Sequence, residues 1–147
     1  MKNAVQFLAG VFFFTLFAAC GSNKDLQERA PAQFGDVSYE YSSAGIRLSI
    51  PVVAIQEDRV SLDAVYFHGM KSLLKKSEEV PNLYVADFRL GTEDMVMHED
   101  PKKEYGNQPP QLPEKSPFDI DDDEAILVFT EAGQKKYYKL TGIQENE

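Results

Sequence analysis

The chain contains few of the residues on which well-known sites are built. Its 147 residues include one cysteine, two histidines and no tryptophan. The single cysteine excludes an intramolecular disulfide, and two histidines fall short of the three or four nitrogen or sulfur ligands usual for zinc. The sequence also lacks a Gly-rich phosphate loop and a G-x-S-x-G turn for a nucleophilic serine. We therefore predict no cofactor and no catalytic residue.

Positive charge is scarce as well. The chain has 15 Lys and Arg against 24 Asp and Glu, a formal net charge of −9. Nucleic acids and anionic lipid surfaces both attract basic faces. The acidic balance therefore excludes nucleic acid as an expected partner and argues against a domain that lies flat on anionic lipid. Charge of this sign mainly keeps an exposed domain soluble.

Only one long apolar run is present, from Ala4 to Ala19 behind Lys2. It is shorter than the ~20 residues of a spanning helix and is typical of a secretory signal peptide. Its ending, Ala18-Ala19-Cys20, resembles the lipobox of bacterial lipoproteins. The resemblance implies cleavage before Cys20 and attachment of acyl chains, such as palmitate, to that cysteine. The alternatives are an ordinary secretory signal with an incidental cysteine and an N-terminal membrane anchor.

The chain is predicted to divide into three parts. Residues 1–19 form the signal peptide, residues 20–36 carry the lipidated Cys20 and a flexible tether, and residues 37–147 form one domain. The tether is inferred from polar residues that show no period of two or 3.6. Acylated Cys20 makes the lipid membrane the first predicted partner. It places the protein in the bacterial cell envelope, as an outer-membrane lipoprotein whose periplasmic or surface orientation stays open.

Alternating apolar and polar residues in the predicted domain are typical of β-strands with one buried face. The segments with this pattern are 37–41, 46–50, 60–67, 83–90 and 136–143. Turn residues separate them, and no long amphipathic helix or internal repeat is found. The sequence therefore predicts an all-β fold, a small antiparallel β-sandwich or open barrel of about six or seven strands.

Several segments depart from this alternation. Ala125–Thr130 is apolar almost throughout, which predicts a central strand covered on both faces. Pro51 is expected to end its strand or to lie at an edge, because proline cannot donate a ladder hydrogen bond, and the strand could resume at Val52–Ile55. Lys71–Glu79 is expected to be a helical turn or a charged loop. Residues 102–117 carry four prolines and are expected to form an irregular connection.

Metal sites are weakly indicated at two places. The acidic cluster Asp119–Glu124 could offer oxygens to calcium, but the position that is glycine in an EF-hand is glutamate here. The weak metal candidates there are Asp119, Asp121 and Asp123. His98 has Met95 and Met97 beside it, and thioethers suit copper(I), yet no Met-His spacing repeats. The sequence therefore predicts no metal site.

Tyrosines are the expected binding residues, because their amphipathic rings suit interfaces. They are Tyr39, Tyr41, Tyr66, Tyr84, Tyr137 and Tyr138. The alternative is that these rings cap a small core with their hydroxyls in water. Carboxylate pairs are abundant, so the residue types alone leave a glycosidase-like pair open.

Three further segments carry a family resemblance. They are Tyr105–Glu124 with the following Ala125–Val128, Ala64–Gly69, and the Lys-Tyr-Tyr-Lys-Leu at 136–140. Together these segments resemble a family of small lipoproteins of flavobacteria and other Bacteroidetes. The resemblance implies a lipid anchor and a β-rich domain, and it supplies no functional residues.

These observations favour a non-enzymatic, membrane-anchored lipoprotein that acts as a binding or scaffolding module of the cell envelope. Its partner would be an envelope protein or a glycan. The alternative is a small envelope hydrolase, or a carbohydrate-binding accessory protein, that uses surface carboxylates and tyrosines. A deep cleft would favour the alternative, and a filled sandwich with one exposed tyrosine patch would favour the binding module.

Overall fold

Ten β-strands make up the regular structure of the computed structural model, which describes residues 25–90 and 112–146. The strands are β1 (Gln33–Phe34), β2 (Ser38–Ser42), β3 (Gly45–Ala54), β4 (Val60–Phe67), β5 (Met70–Leu73), β6 (Lys75–Lys76), β7 (Leu83–Phe88), β8 (Ala125–Glu131), β9 (Gln134–Leu140) and β10 (Gln144–Glu145). Seven strands have four residues or more, and three are two-residue pairings at sheet margins. No helix occurs in these two ranges.

The strands form two sheets that pack face to face. One sheet has the order β10-β2-β3-β7-β6, with β1 also paired to β3, and the other has the order β5-β4-β8-β9. Neighbouring strands are antiparallel except β10 and β2. Neither sheet closes on itself, so the structure is the predicted all-β sandwich, with the additional strands short and marginal.

The main core lies between the sheets, where the largest fully buried side chains include Phe67, Phe88 and Phe129. A second, smaller cluster lies on the outer face of the four-stranded sheet. There Ile126 and Val128 are covered by Leu26 and by Phe118 from the segment before β8. The prediction that Ala125–Thr130 is a central strand covered on both faces is therefore confirmed.

The prediction for Pro51 is wrong, because β3 continues through it to Ala54 between neighbours on both sides. On one side the paired strand changes at this point, from β2, which ends its pairing at Ser49, to β1, which begins at Val52. The Pro51 carbonyl accepts a hydrogen bond from the Gly35 N–H (2.9 Å) on that side. The missing proline N–H therefore falls at the junction of two strands, where the ladder is already interrupted.

The prediction for Lys71–Glu79 is also wrong, since its first half forms strands. β5 pairs with β4 in the four-stranded sheet, and β6 pairs with β7 in the six-stranded sheet. The chain thus changes sheets at Leu74, whose N–H donates to the Asp63 carbonyl (3.0 Å). Lysines at this edge keep water-facing strands from pairing with other chains.

The segment predicted to be a flexible tether is docked on the domain. The Gln27 N–H donates to the Tyr137 carbonyl of β9 (2.7 Å), and Leu26 forms an isolated parallel bridge with Tyr137. Further on, Phe34 stacks on Tyr138 with ring centroids 6.1 Å apart. The folded part therefore includes Leu26 and does not begin at Val37.

Removing this docked segment should weaken the fold. A chain that begins at Val37 loses β1 and the partly buried Leu26 and Phe34, and full burial of such side chains is worth ~1.5–3 kcal/mol each. We expect its free energy of unfolding to be about 2–3 kcal/mol lower than that of a chain beginning at Gly21. Urea unfolding of the two chains measures the difference. Equal midpoints would contradict the docking of the segment.

Candidate binding surface

Several residues that the sequence singled out lie outside the described ranges. They are Cys20, His98, Met95 and Met97. Lipidation and the copper alternative therefore rest on the sequence alone. Within the described ranges, no helix has the length and apolarity needed to cross a membrane.

The acidic cluster Asp119–Glu124 forms the turn that leads into β8. Its backbone is used for structure, since the Asp123 carbonyl accepts from the Ile143 N–H (3.0 Å) and the Glu124 carboxylate accepts from the Asp121 N–H (3.0 Å). Lys139 Nζ lies 2.6 Å from Glu124 Oε2, and this contact lowers the pKa of Glu124, helped by the Asp121 N–H. The side chains of the weak candidates Asp119, Asp121 and Asp123 are not placed to bind one metal ion together. In the part of the chain that the structure describes, no group of three or more His, Cys, Asp or Glu is placed to hold a metal ion.

His68 serves the turn between β4 and β5. Its backbone has φ of 47°, its ring stacks on Phe67 with centroids 4.0 Å apart, and its Nε2 lies 3.0 Å from the Asp122 carbonyl oxygen. These contacts tie the β4–β5 turn to the turn before β8. His68 is therefore placed as a packing residue and not as a ligand.

The six tyrosines do not form one exposed patch. Tyr66 is only 7% exposed in the outer cluster, and Tyr84 and Tyr138 pack against the main core. Tyr39 lies between the core ring of Phe67 (5.1 Å) and Tyr41 (5.6 Å), and its hydroxyl donates to Glu145 (3.2 Å). Tyr41 alone among the six is largely exposed, at 53%. The alternative reading, rings that cap a small core, describes their placement better.

Ion pairs with lysine or arginine engage the carboxylates of Glu57, Asp87, Glu114, Glu124 and Glu131. Lysine contacts lower the pKa of Glu114, Glu124 and Glu131, with Lys71, Lys139 and Lys136 as the respective leading causes. A glycosidase needs a carboxylic acid whose pKa is raised, so that it stays protonated near neutral pH. These three glutamates are shifted in the opposite direction and are poorly suited to general-acid catalysis.

A surface groove lies where β5 and β7 approach each other across the sandwich edge. The Ser72 hydroxyl bridges the two strands by donating to the Asp87 carbonyl (2.8 Å). The groove, here called the β5–β7 groove, has a volume of about 520 Å³. It is lined by Lys71, Ser72, Leu73, Lys75, Asp87, Arg89 and Glu114.

Charge of both signs surrounds the β5–β7 groove. Lys71 Nζ lies 2.9 Å from Glu114 Oε1 and 5.3 Å from the centre of the Tyr66 ring, and Glu114 raises the pKa of Lys71. Leu73 adds an apolar side chain that is 67% exposed. An exposed leucine within reach of cations and carboxylates is suited to a polar partner with a small apolar contact. The sequence missed this groove because β5 and β6 were expected to be a turn or loop.

No family model, curated protein or solved structure matches the chain. The fold shows an all-β sandwich, and any proposal about function must therefore be argued from the residues of this chain.

Proposed function

We propose that the chain is a lipoprotein of the bacterial cell envelope, anchored through acylated Cys20, and that its β-sandwich is a non-enzymatic binding or scaffolding module. The β5–β7 groove is its partner-binding surface. On this proposal the chain belongs with the small Bacteroidetes lipoproteins that it resembles, on the outer membrane. The partner is an envelope protein that carries polar groups of both charges.

The observation that carries this proposal is the placement of the groove relative to the docked segment around Leu26. In the order β5-β4-β8-β9, the segment that follows Cys20 docks on β9, whereas the groove lies at β5, on the opposite edge. Strands lie ~4.8 Å apart, so the two edges are separated by about 14 Å. The β5–β7 groove therefore lies on the edge opposite the one on which the N-terminal segment docks.

The contacts of the groove support binding over catalysis. Glu114, the glutamate of the groove, is paired with Lys71 and has a lowered pKa, and Asp87 is paired with Arg47 at 2.8 Å. The hydrolase alternative requires a protonated carboxylic acid in a cleft that excludes water. The carbohydrate-binding alternative requires an exposed aromatic platform, and no tyrosine lines this groove.

Substituting the proposed acylation site should abolish lipidation. In Cys20→Ala cells, we expect no palmitate label on the protein and accumulation of the uncleaved or mis-sorted precursor, because the thioether requires the cysteine sulfur. Metabolic labelling followed by gel mobility and membrane fractionation measures both effects. Label that persists in the variant would show that the anchor is assigned to the wrong residue.

A photo-crosslinker should distinguish the groove from the opposite edge. With the crosslinking side chain at Leu73, we expect a discrete adduct with a polar partner on native membranes. The matched position is Lys135, an exposed residue of β9. We expect no such adduct there. Adducts from Lys135 but not from Leu73 would place the partner at the β9 edge and would contradict the proposed binding surface at β5.

A further inference from the structure

Another groove lies beside the docked N-terminal segment. It has a volume of about 360 Å³ and is here called the N-terminal groove. Its lining comes from three separate parts of the chain, namely Gln27–Pro31, the β3–β4 turn and the end of β8. The lining residues that can contact a ligand through polar groups are Gln27, Arg29, Gln56, Arg59 and Glu131.

Cations outnumber carboxylates in this groove. Arg29 and Arg59 line the groove and are exposed, and Lys136, outside the lining, has its Nζ 2.6 Å from Glu131 Oε2. All three cations act on Glu131, whose pKa is lowered first by Lys136 and then by Arg59 and Arg29. The lining of the groove therefore carries two arginines and one carboxylate, a positive balance that is opposite in sign to the chain as a whole.

The residue types suit the oxygens of a phosphate group. Arginine presents a planar fork of donors that matches phosphate, and its charge persists at every physiological pH. The amides of Gln27 and Gln56 line the same groove and can add neutral donors. Glu131 is already engaged by Lys136, which reduces its repulsion of an anion.

The position of the groove indicates where the phosphate comes from. Gln27 is held on β9 by its backbone and is seven residues after Cys20. An extended segment of seven residues spans at most about 25 Å. If Cys20 carries acyl chains, the N-terminal groove is therefore kept within that distance of the bilayer surface.

We propose that the N-terminal groove binds the phosphate of anionic phospholipid headgroups through Arg29 and Arg59, in addition to the acyl anchor. This inference rests on the proposed lipidation for its orientation and not for its chemistry. It refines the expectation from net charge, because the lining of this groove has a positive balance in an acidic chain. The N-terminal groove and the β5–β7 groove share no lining residue, so binding at one leaves the other available.

The test uses the unacylated mature chain from Gly21, which contains every residue that the structure describes. Its binding to phosphatidylglycerol vesicles is measured by co-sedimentation, with phosphatidylcholine vesicles as the neutral comparison. Because each basic residue near an anionic surface contributes on the order of 1 kcal/mol, the Arg29→Gln/Arg59→Gln variant should bind about 30-fold more weakly. The Arg47→Gln/Lys115→Gln variant loses the same charge at exposed residues that line neither groove and should bind like the unmodified chain.

Each outcome bears on the proposal. Selective binding to phosphatidylglycerol that is weakened by salt and lost with the two arginines supports it. Equal binding of the two double variants, or equal binding to both lipids, overturns it. Inorganic phosphate that binds the chain while the vesicles do not would assign the groove to a free phosphate instead and also overturn the lipid proposal. If the arginine variant fails to fold, the lipid selectivity and salt dependence of the unmodified chain decide.

Failure of this inference and failure of the proposed lipidation give different results. The vesicle assay contains no acyl group on the protein, so it does not depend on Cys20. Palmitate labelling of Cys20 in cells does not depend on Arg29 or Arg59. Each result can therefore be negative while the other is positive.

Discussion

Replacing Phe129 by alanine is expected to lower the free energy of unfolding by about 3–5 kcal/mol. Phe129 is 2% exposed and lies in the main core, near the middle of β8. β8 is paired on both sides, with β4 and with β9. The truncation leaves a cavity that cannot collapse easily, because the strands around it are fixed by their ladders. The loss is a large share of the ~5–15 kcal/mol that stabilises a typical domain.

The matched control is Tyr41→Ala. Tyr41 is also an aromatic residue in a strand, but it is largely exposed near the end of β2 and contacts Tyr39 edge to face. Its truncation removes one aromatic contact, which is worth ~0.5–1.5 kcal/mol. Urea unfolding of both variants gives the comparison. A nearly neutral Phe129→Ala beside a severe Tyr41→Ala would mean that the core lies elsewhere.

β8 and its hairpin could be predicted because their signals are local. A continuous apolar run needs cover on both faces, and the sequence 131–134 contains the glycine required by a tight turn. The structure confirms the turn, with positive φ at Ala132 and Gly133 between β8 and β9. In such segments, the information that sets the structure lies within a few residues.

β5, β6 and the docked N-terminal segment could not be predicted in the same way. Lys75 and Lys76 form a strand because β7 offers a free edge, and their own side chains show no strand pattern. Leu26 is one apolar residue in a polar stretch, and its partner Tyr137 is distant in sequence. Strand propensity and hydrophobic periodicity do not predict such pairings, because tertiary contacts determine them.

Both grooves escaped prediction for a related reason. The N-terminal groove combines Arg29, Arg59 and Glu131, which come from three separate segments. The net charge of the whole chain is negative, so it gives no sign of a positive balance in one groove, which exists only after the three segments come together in the fold. The acidic cluster at Asp119–Glu124 shows the opposite case. Its closely spaced carboxylates suggested a metal site, and in the structure the segment is a turn with hydrogen bonds between Asp121 and Glu124.

The second large effect is expected at Gly45, the first residue of β3. Its φ is +137°, a backbone conformation that residues with a side chain rarely adopt. A Cβ atom at this position would lie 1.9 Å from the Phe88 carbonyl oxygen and 2.9 Å from the Leu90 N. Both contacts are with backbone, so no side chain can rotate away to make room.

Gly45→Ala should therefore force β3 and β7 apart at the point where their pairing begins. Ile46 pairs with Phe88 directly beside this contact, and both side chains are buried in the main core. Backbone strain costs ~1–3 kcal/mol and overpacking a further ~1–3 kcal/mol, so we expect a loss of roughly 3–5 kcal/mol. The measurement is urea unfolding of the variant against the unmodified chain.

Gly133→Ala is the matched control, because it makes the same chemical change at a glycine that also has positive φ. Gly133 has φ of +75° in the β8–β9 turn, and an added Cβ would meet nothing within 4 Å. Only the left-handed backbone is penalised there, which costs ~1–2 kcal/mol. A Gly45→Ala chain that is found only in the insoluble fraction while Gly133→Ala stays folded would agree with the expectation. Equal losses in the two variants would show that the approach of β7 to Gly45 is not the constraint, and that φ alone sets the cost.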